Sequence, residues 1–218
     1  MVIVFDLVGT LFSLGKVEQA FSELGMRPEA AKWWFARLLQ SAMAATLANR
    51  YTPFLLLAEA SLQQVLKAVD RPESLAAGIL EQMKELDPWP EAAQSLQQLR
   101  GDGHRLIVLT NSSVEAAERL LQKAGVLHAF EAVLSADETD ACKPDPRTYR
   151  AAAFRAGSPV SESCLVAAHG WDVLGAHAVG MKTVWIEREE KLWGFPGDPP
   201  GLAVPTLAQL PAAIKGIA

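Results

Sequence analysis

Polar residues that could do chemistry together occur in four clusters along the chain. They stand at residues 6–10, at 110–112, at Lys143 and at Asp172. A carboxylate on a sharp turn can attack an electrophilic carbon or phosphorus and form an ester or an anhydride, which makes Asp6 the candidate nucleophile. Lys143 would keep Asp6 ionised and neutralise charge on a substrate, because its ammonium group is a compact cation. The clusters therefore predict a reaction that passes through a covalent intermediate on Asp6.

Other residues of the clusters could hold charge or orient groups. Gly9 permits a tight backbone approach, and the amides around it can bind a substrate anion or a developing charge. Thr110 and Asn111 offer further hydrogen-bond donors. Asp172 could orient Lys143 or a water molecule, or join Asp6 in holding a metal.

Alternating strands and helices would bring these clusters to one place. Residues 1–5 are β-branched or aromatic and predict a buried strand, and further strands are predicted at 105–109, 132–135, 163–168 and 183–186. Predicted helices cover 90–100, 114–124 and 172–179, and one more follows residue 146. Such alternation predicts a doubly wound, Rossmann-like α/β core, in which ligands bind beyond the carboxyl ends of parallel strands. The mixed-charge run 187–191 and the Pro- and Gly-rich stretch 194–205 are predicted to be surface loops.

Residues 14–86 have a different character, because they are rich in Ala, Leu and Gln and contain few strand-like runs. Helices are predicted over 28–49, 53–69 and 73–86. The prolines in 87–90 end this segment. We therefore predict a core domain of residues 1–13 plus 87–218 and a small all-helical cap domain of residues 14–86, which would close over Asp6 and limit water.

Composition excludes several classes of protein. Half of the 218 residues are apolar, so a large core can form without disulfides or metal, and only two cysteines occur. The formal net charge of −5 gives no basic footprint for nucleic acid. No apolar run approaches the roughly 20 residues that a membrane-spanning helix needs. The first residues lack the cationic region of a signal peptide, so a cytoplasmic protein is expected.

The same residues resemble the motifs of a known superfamily. Residues 5–11 (FDLVGTL) resemble the first motif of the haloacid dehalogenase (HAD) superfamily, 109–111 (LTN) the second, 143–144 (KP) the third and 171–172 (WD) the fourth. Their order and spacing fit across nearly the whole chain, and residues 14–86 fall where such enzymes carry a cap. The resemblance implies a hydrolase with a HAD core, an Asp nucleophile and a covalent aspartyl intermediate.

Val8 favours one branch of the superfamily. Phosphatases of the superfamily usually carry a second Asp two residues after the nucleophile, and such an acid–base residue contributes about 10²- to 10⁴-fold in rate. Valine cannot transfer a proton, whereas a halide leaves unprotonated. Residues 49–51 (NRY), 143–149 (KPDPRTY) and 170–172 (GWD) also resemble the L-2-haloacid dehalogenase branch. This implies (S)-2-haloacid dehalogenase-type hydrolysis of a small carboxylate, with no cofactor or metal required.

The resemblance implies a role for each matching residue. Asp6 would attack the halogen-bearing carbon, and Asp172 would help the water that hydrolyses the ester. Lys143 and Tyr149 would supply electrostatics and orientation, while carboxylates would be positioned by Thr10, Thr110 and Asn111. The remaining predicted substrate-binding residues are Val8, Gly9, Leu11, Phe35, His169 and Trp171.

The chain departs from the branch at several of these positions. Phe35 stands where the branch usually has an arginine that grips the departing halide, and Arg37 would face elsewhere on a straight helix. Ala167 and His169 stand where the branch favours Ser and Asn. His169 could therefore act as a water-activating base in place of the Asn.

Two other functions stay open at this stage. One is a Mg²⁺-dependent phosphatase or phosphonatase-type hydrolase, in which Asp6, the Val8 carbonyl and Asp172 would hold the ion. The other is a non-catalytic protein with the HAD fold, against which the intact Asp6, Lys143 and Asp172 argue. The expected partner is a small anionic acid, with no nucleic acid and no membrane, and the resemblance allows a homodimer.

Overall fold

A six-stranded parallel sheet forms the centre of the computed structural model, which describes residues 1–27, 29–188 and 190–217. The strands lie in the order β3-β2-β1-β4-β5-β6, with the first strand flanked by β2 and β4. Their bounds are β1 Val2–Phe5, β2 Arg105–Thr110, β3 Ala132–Ser135, β4 Ser163–Ala167, β5 Lys182–Ile186 and β6 Leu202–Val204. The predicted parallel α/β architecture is confirmed.

Helices cover both faces of the sheet, because alternate residues of each strand point to opposite sides. Ile3 and Phe5 belong to one buried layer with residues of α5 (Ala92–Gly101), α6 (Val114–Lys123) and α9 (Leu210–Ile214). Val2 and Val4 belong to a second layer with residues of α7 (Pro146–Arg155) and α8 (Gly170–Ala178). The fold is therefore doubly wound.

Among the described residues, four α-helices lie between β1 and α5, and the first of them was not predicted. They are α1 Gly15–Glu23, α2 Glu29–Leu47, α3 Phe54–Ala68 and α4 Ala76–Glu81. Pro28, at the start of the predicted helix 28–49, lies outside the described residues. The helix predicted over 73–86 extends over residues 73–84 but is not a single α-helix, because α4 is only six residues long and is flanked by the 3₁₀ turns Glu73–Leu75 and Gln82–Lys84.

The prediction of a loop over 194–205 was also wrong, because Leu202–Val204 forms the edge strand β6 beside β5. Gly201 leads into this strand with φ +79°, and a Cβ there would lie 2.3 Å from the Thr183 carbonyl oxygen. Except for Pro205, the prolines and glycines that predicted a loop stand before the three residues that pair.

Two polar contacts join the helical segment to the strand-end edge of the sheet. The Thr46 hydroxyl accepts a hydrogen bond from the Cys142 amide at 2.9 Å, and the Tyr51 hydroxyl donates to Asp137. These contacts hold the segment against the chain that follows β3 at this edge of the sheet. Among the described residues, we find no helix that combines the length and the apolarity needed to span a membrane.

Candidate active site

Asp6 lies directly after β1, at the middle of the sheet, with only 5% of its surface exposed. One carboxylate oxygen, Oδ2, accepts a hydrogen bond from the Thr10 hydroxyl at 2.6 Å. The other, Oδ1, accepts from Lys143 Nζ at 2.8 Å. The Thr10 hydroxyl in turn accepts from the Ala168 amide at 2.8 Å, which ties the turn after β1 to the end of β4. The carboxylate is therefore fixed in orientation by charged and neutral donors.

Lys143 is completely buried, and its ammonium group bridges two carboxylates. Nζ lies 2.8 Å from Asp6 Oδ1 and 2.7 Å from Asp172 Oδ2, and it also donates to the Leu109 carbonyl at 3.0 Å. The Asn111 side chain holds the same loop, because its Oδ1 accepts from the Lys143 amide at 2.9 Å. All three donor positions of the ammonium group thus have acceptors.

Asp172 lies in the first turn of α8 and is held from both sides. Its Oδ1 accepts a hydrogen bond from the Tyr149 hydroxyl at 2.6 Å, and its Oδ2 accepts from Lys143. Gly175 leaves room for this contact, because a Cβ there would lie 2.8 Å from the Tyr149 hydroxyl oxygen. Tyr149 therefore holds the Asp172 carboxylate from the side opposite Lys143.

Burial and neighbouring charges together lower the pKa of Asp6 and raise the pKa values of Asp172 and Lys143. Burial alone would raise the pKa of Asp6, but the nearby charges of Lys143 and His169 outweigh it and hold that pKa below its usual value. Burial raises the pKa of Asp172, and the negative charge of Asp6 adds to this effect. Burial opposes the charge on Lys143, yet the two carboxylates outweigh it and raise its pKa. Asp6 is thus the ionised carboxylate that a nucleophile must be.

The turn after Asp6 packs against the ring of His169. His169 Nε2 lies 3.1 Å from the Val8 carbonyl oxygen. Gly9 has φ +87°, and a Cβ there would lie 2.5 Å from the same nitrogen. The ring itself stacks on Trp171, with centroids 5.4 Å apart at 13°, and lies 5.8 Å from the Phe35 ring. Glycine is needed at position 9 both for the backbone angle and for the close imidazole.

A small cavity of about 20 Å³ opens onto Asp6. This is room for about one water molecule. Its walls combine polar groups from the strand ends with apolar groups from α2 and α3, namely Asp6, Val8, Phe35, Leu39, Phe54, Thr110, Asn111, Ser112, His169 and Trp171. A larger cleft of about 430 Å³ shares Val8, Phe54 and Ser112 with this cavity.

Some of the predicted site residues lie behind the cavity wall. Leu11 is a core residue whose backbone carbonyl accepts from the Trp89 amide, and it does not line the cavity. The Gly9 carbonyl accepts from Trp89 Nε1 at 3.3 Å. Arg37 donates to Gln40 on its own helix at 2.9 Å, so it faces away as expected, and Phe35 stands at the wall instead.

Sequence reasoning missed three residues around the site. Leu39 follows Phe35 by one helical turn, and this spacing could have placed it on the same face. Phe54 begins α3 and gave no signal of its position. Glu190 lies in the predicted solvated loop and is exposed, but its role was missed, because its Oε2 accepts from the Gly170 amide at 2.9 Å and its Oε1 lies 3.6 Å from His169 Nδ1. Glu189, in the same run, lies outside the described residues.

The alternative magnesium site does not fit this arrangement. Asp6, the Val8 carbonyl and Asp172 were the predicted ligands. Lys143 Nζ already bridges the two carboxylates at 2.8 and 2.7 Å, and the Val8 carbonyl accepts from His169. A divalent cation between these oxygens would have to displace a buried ammonium group.

Comparisons with known proteins agree with this geometry. A family model described as haloacid dehalogenase-like hydrolase matches residues 1–180. The chain is 31% identical to (S)-2-haloacid dehalogenase 4A of Burkholderia cepacia, over 90% of this chain and 84% of that protein. It is also 31% identical to (S)-2-haloacid dehalogenase 1 of Pseudomonas sp. (strain CBS-3), over 95% of this chain and 93% of that protein. The structure resembles that of L-2-haloacid dehalogenase from Xanthobacter autotrophicus with chloropropionic acid covalently bound, with a TM-score of 0.90. The two sequences are 26% identical, and the match covers 100% of this chain and 99% of that chain.

Proposed function

Because the chain belongs to the haloacid dehalogenase-like hydrolase family, we propose that it hydrolyses the carbon–halogen bond of a small (S)-2-haloacid. The observation that carries this proposal is the placement of Asp6. Its carboxylate is oriented by Thr10 and Lys143 at 2.6 and 2.8 Å and borders a small cavity. Relatives with about 30% identity over most of the chain are named as enzymes of this reaction.

The first step is a displacement at the carbon that bears the halogen. An oxygen of Asp6 forms a C–O bond to that carbon, and the halide leaves with the electron pair of the C–halogen bond. Lys143 and Thr10 hold the carboxylate in the orientation that attack requires. The halide needs no proton, so Val8 in place of an acid does not impede this step.

The second step releases the product. A water molecule attacks the carbonyl carbon of the Asp6 ester, the acyl C–O bond breaks, and the ester oxygen leaves on the 2-hydroxyacid, which takes up the proton that the water gave to Asp172. Asp6 is released as a carboxylic acid and returns to the carboxylate by losing its proton to the solvent. Asp172 accepts a proton from the water, since its raised pKa makes it the more basic of the two carboxylates. The proposed cycle uses this chain's own side chains and calls for no metal or organic cofactor.

Halide release from (S)-2-chloropropionate tests the proposal. We expect release with and without EDTA, a strong preference over the (R)-enantiomer, and loss of at least about 10³-fold in rate in Asp6→Asn, because an amide is a poor nucleophile. Circular dichroism and thermal unfolding of Asp6→Asn serve as the control for an intact fold. Activity that survives this substitution, or that EDTA abolishes, would contradict the mechanism.

A further inference from the structure

Both ring nitrogens of His169 face groups that can only accept hydrogen bonds. Nε2 lies 3.1 Å from the Val8 carbonyl oxygen, so this nitrogen carries a proton. Nδ1 lies 3.6 Å from Oε1 of Glu190, which also accepts only when it is ionised. A bare Nδ1 would direct its lone pair at a carboxylate. The arrangement therefore favours a proton on each nitrogen, which makes the ring a cation.

The other neighbours of His169 act in the same direction. Burial is the largest single effect and opposes the charge on the ring, but Glu190, Asp6 and Asp172 together outweigh it, so the pKa of His169 is raised. Phe35 from α2 and Trp171 from α8 present aromatic rings without charge. Lys143, the other nearby cation, is held between the two aspartates.

The position of this cation matters for an anionic ligand. Among the described residues that line the cavity, His169 is the one whose side chain can carry positive charge. Lys143 lies behind Asp6 and is completely buried. Phe35 stands where the resemblance implied an arginine. A haloacid and the halide it releases are both anions, so each gains from a positive charge at the wall.

We propose that Glu190 is a positioning residue that holds His169 as an imidazolium, and that this cation binds the substrate carboxylate or the departing halide in place of the arginine absent at Phe35. Glu190 is fixed for this role, because its second oxygen accepts from the Gly170 amide at 2.9 Å. The part of this proposal that concerns the departing halide rests on the proposed function. With both nitrogens protonated, His169 does not serve as the base that activates water.

Glu190→Gln tests the proposal, with Glu187→Gln as the matched control. Glutamine at 190 keeps an oxygen for the Gly170 amide and loses the charge that faces Nδ1. We expect the ring nitrogen NMR signals at neutral pH to show loss of the Nδ1 proton. The dissociation constant of chloride and the KM for (S)-2-chloropropionate should each rise about tenfold, while kcat changes less. Glu187→Gln removes a charge from the same loop and should leave all these values unchanged.

Several outcomes would overturn the proposal. One is a Glu190→Gln variant with both nitrogens still protonated and unchanged chloride affinity. Another is retained chloride binding in His169→Asn, a second variant that removes the cation itself. The NMR signals of the ring nitrogens and the dissociation constant of chloride can both be measured without catalytic turnover. If the unmodified protein releases no halide, the proposed function fails, and these two measurements still decide the role of Glu190.

Discussion

Lys143 is the residue on which the charge balance of the buried site depends. Its ammonium group lies within 2.8 Å of two carboxylate oxygens, one on Asp6 and one on Asp172. Without it, these two carboxylates would face each other in a medium of low polarity, where like charges repel strongly. A single cation thus makes it possible for a nucleophile and a second carboxylate to share one buried space.

Lys143→Met should therefore reduce both stability and activity. Methionine matches the length of the stem but leaves two buried carboxylates without a cation, which costs about 3–5 kcal/mol in the free energy of unfolding. Urea denaturation measures this change. Lys123→Met is the control, because Lys123 forms a half-exposed ion pair with Glu85, and it should cost no more than about 1 kcal/mol. Equal losses in the two variants would contradict the proposed charge balance.

The opposite pKa shifts of the two carboxylates predict that the two chemical steps respond differently to acid. The pKa of Asp6 is lowered, so ester formation should persist even as the pH falls to 3.8, the ordinary pKa of an aspartate side chain. The pKa of Asp172 is raised, so ester hydrolysis should already fail at a pH above 3.8, as Asp172 gains a proton. Rapid-quench single-turnover measurements separate the two rates. A shared acid limit for both steps would argue against Asp172 as the proton acceptor.

At the scale of secondary-structure elements, β6 shows how a short strand depends on one glycine. Gly201 approaches β5 so closely that a Cβ would meet the Thr183 carbonyl oxygen at 2.3 Å and its hydroxyl at 2.6 Å. The strand itself has only three residues, all of them paired with β5. The edge of the sheet therefore has little other pairing to hold it if this approach is blocked.

Gly201→Ala should destabilise the protein by about 2–4 kcal/mol, from the strained backbone angle and the clash with Thr183 together. Gly197→Ala provides the comparison, because Gly197 has a similar φ of +86° and a Cβ there would meet nothing within 4 Å. Its cost should be about 1 kcal/mol. Thermal unfolding of both variants checks the difference. Equal costs would show that the approach to β5 is unimportant.

At the scale of the whole molecule, the cavity beside Asp6 is too small for the substrate that we propose. A volume of about 20 Å³ accommodates about one water molecule, whereas chloropropionate has six heavy atoms. We therefore expect the wall contributed by α2 and α3 to move to admit it, and an adjoining cleft shares Phe54 with the cavity. We propose on this basis that residues 14–86 act as a mobile helical cap domain. The homodimer allowed by the resemblance stays a prediction.

Tyr51→Phe should loosen this closed arrangement, because it removes the hydrogen bond from the helical segment to Asp137. The loss of about 1 kcal/mol corresponds to roughly fivefold faster amide hydrogen exchange in residues 46–51 and 137–142. Thr52→Val is the matched control, since the Thr52 hydroxyl bonds only to the nearby Arg50 carbonyl. If both variants exchange like the unmodified protein, the Tyr51 contact does not hold the segment closed.

Local pattern alone was enough to predict five of the six described strands and the polar residues at their carboxyl ends. Short buried apolar runs predicted β3 at its observed bounds and β1 to within one residue, because hydrophobic periodicity is read from neighbours in the chain. The parallel order then placed Asp6, Lys143 and Asp172 together, since the carboxyl ends of parallel strands share one edge. The roles of these residues in catalysis remain predictions.

Only the tertiary structure decided which distant groups meet. Glu190 in a charged run pairs with His169, and β6 pairs with β5, because each depends on a partner that is not adjacent in sequence. Phe54 reaches the cavity through the packing of α3 beside α2. Composition describes the run 187–191 as charged and the stretch 194–205 as irregular. The stability of a charged side chain or of an edge strand, however, depends on the group that it contacts in the folded protein.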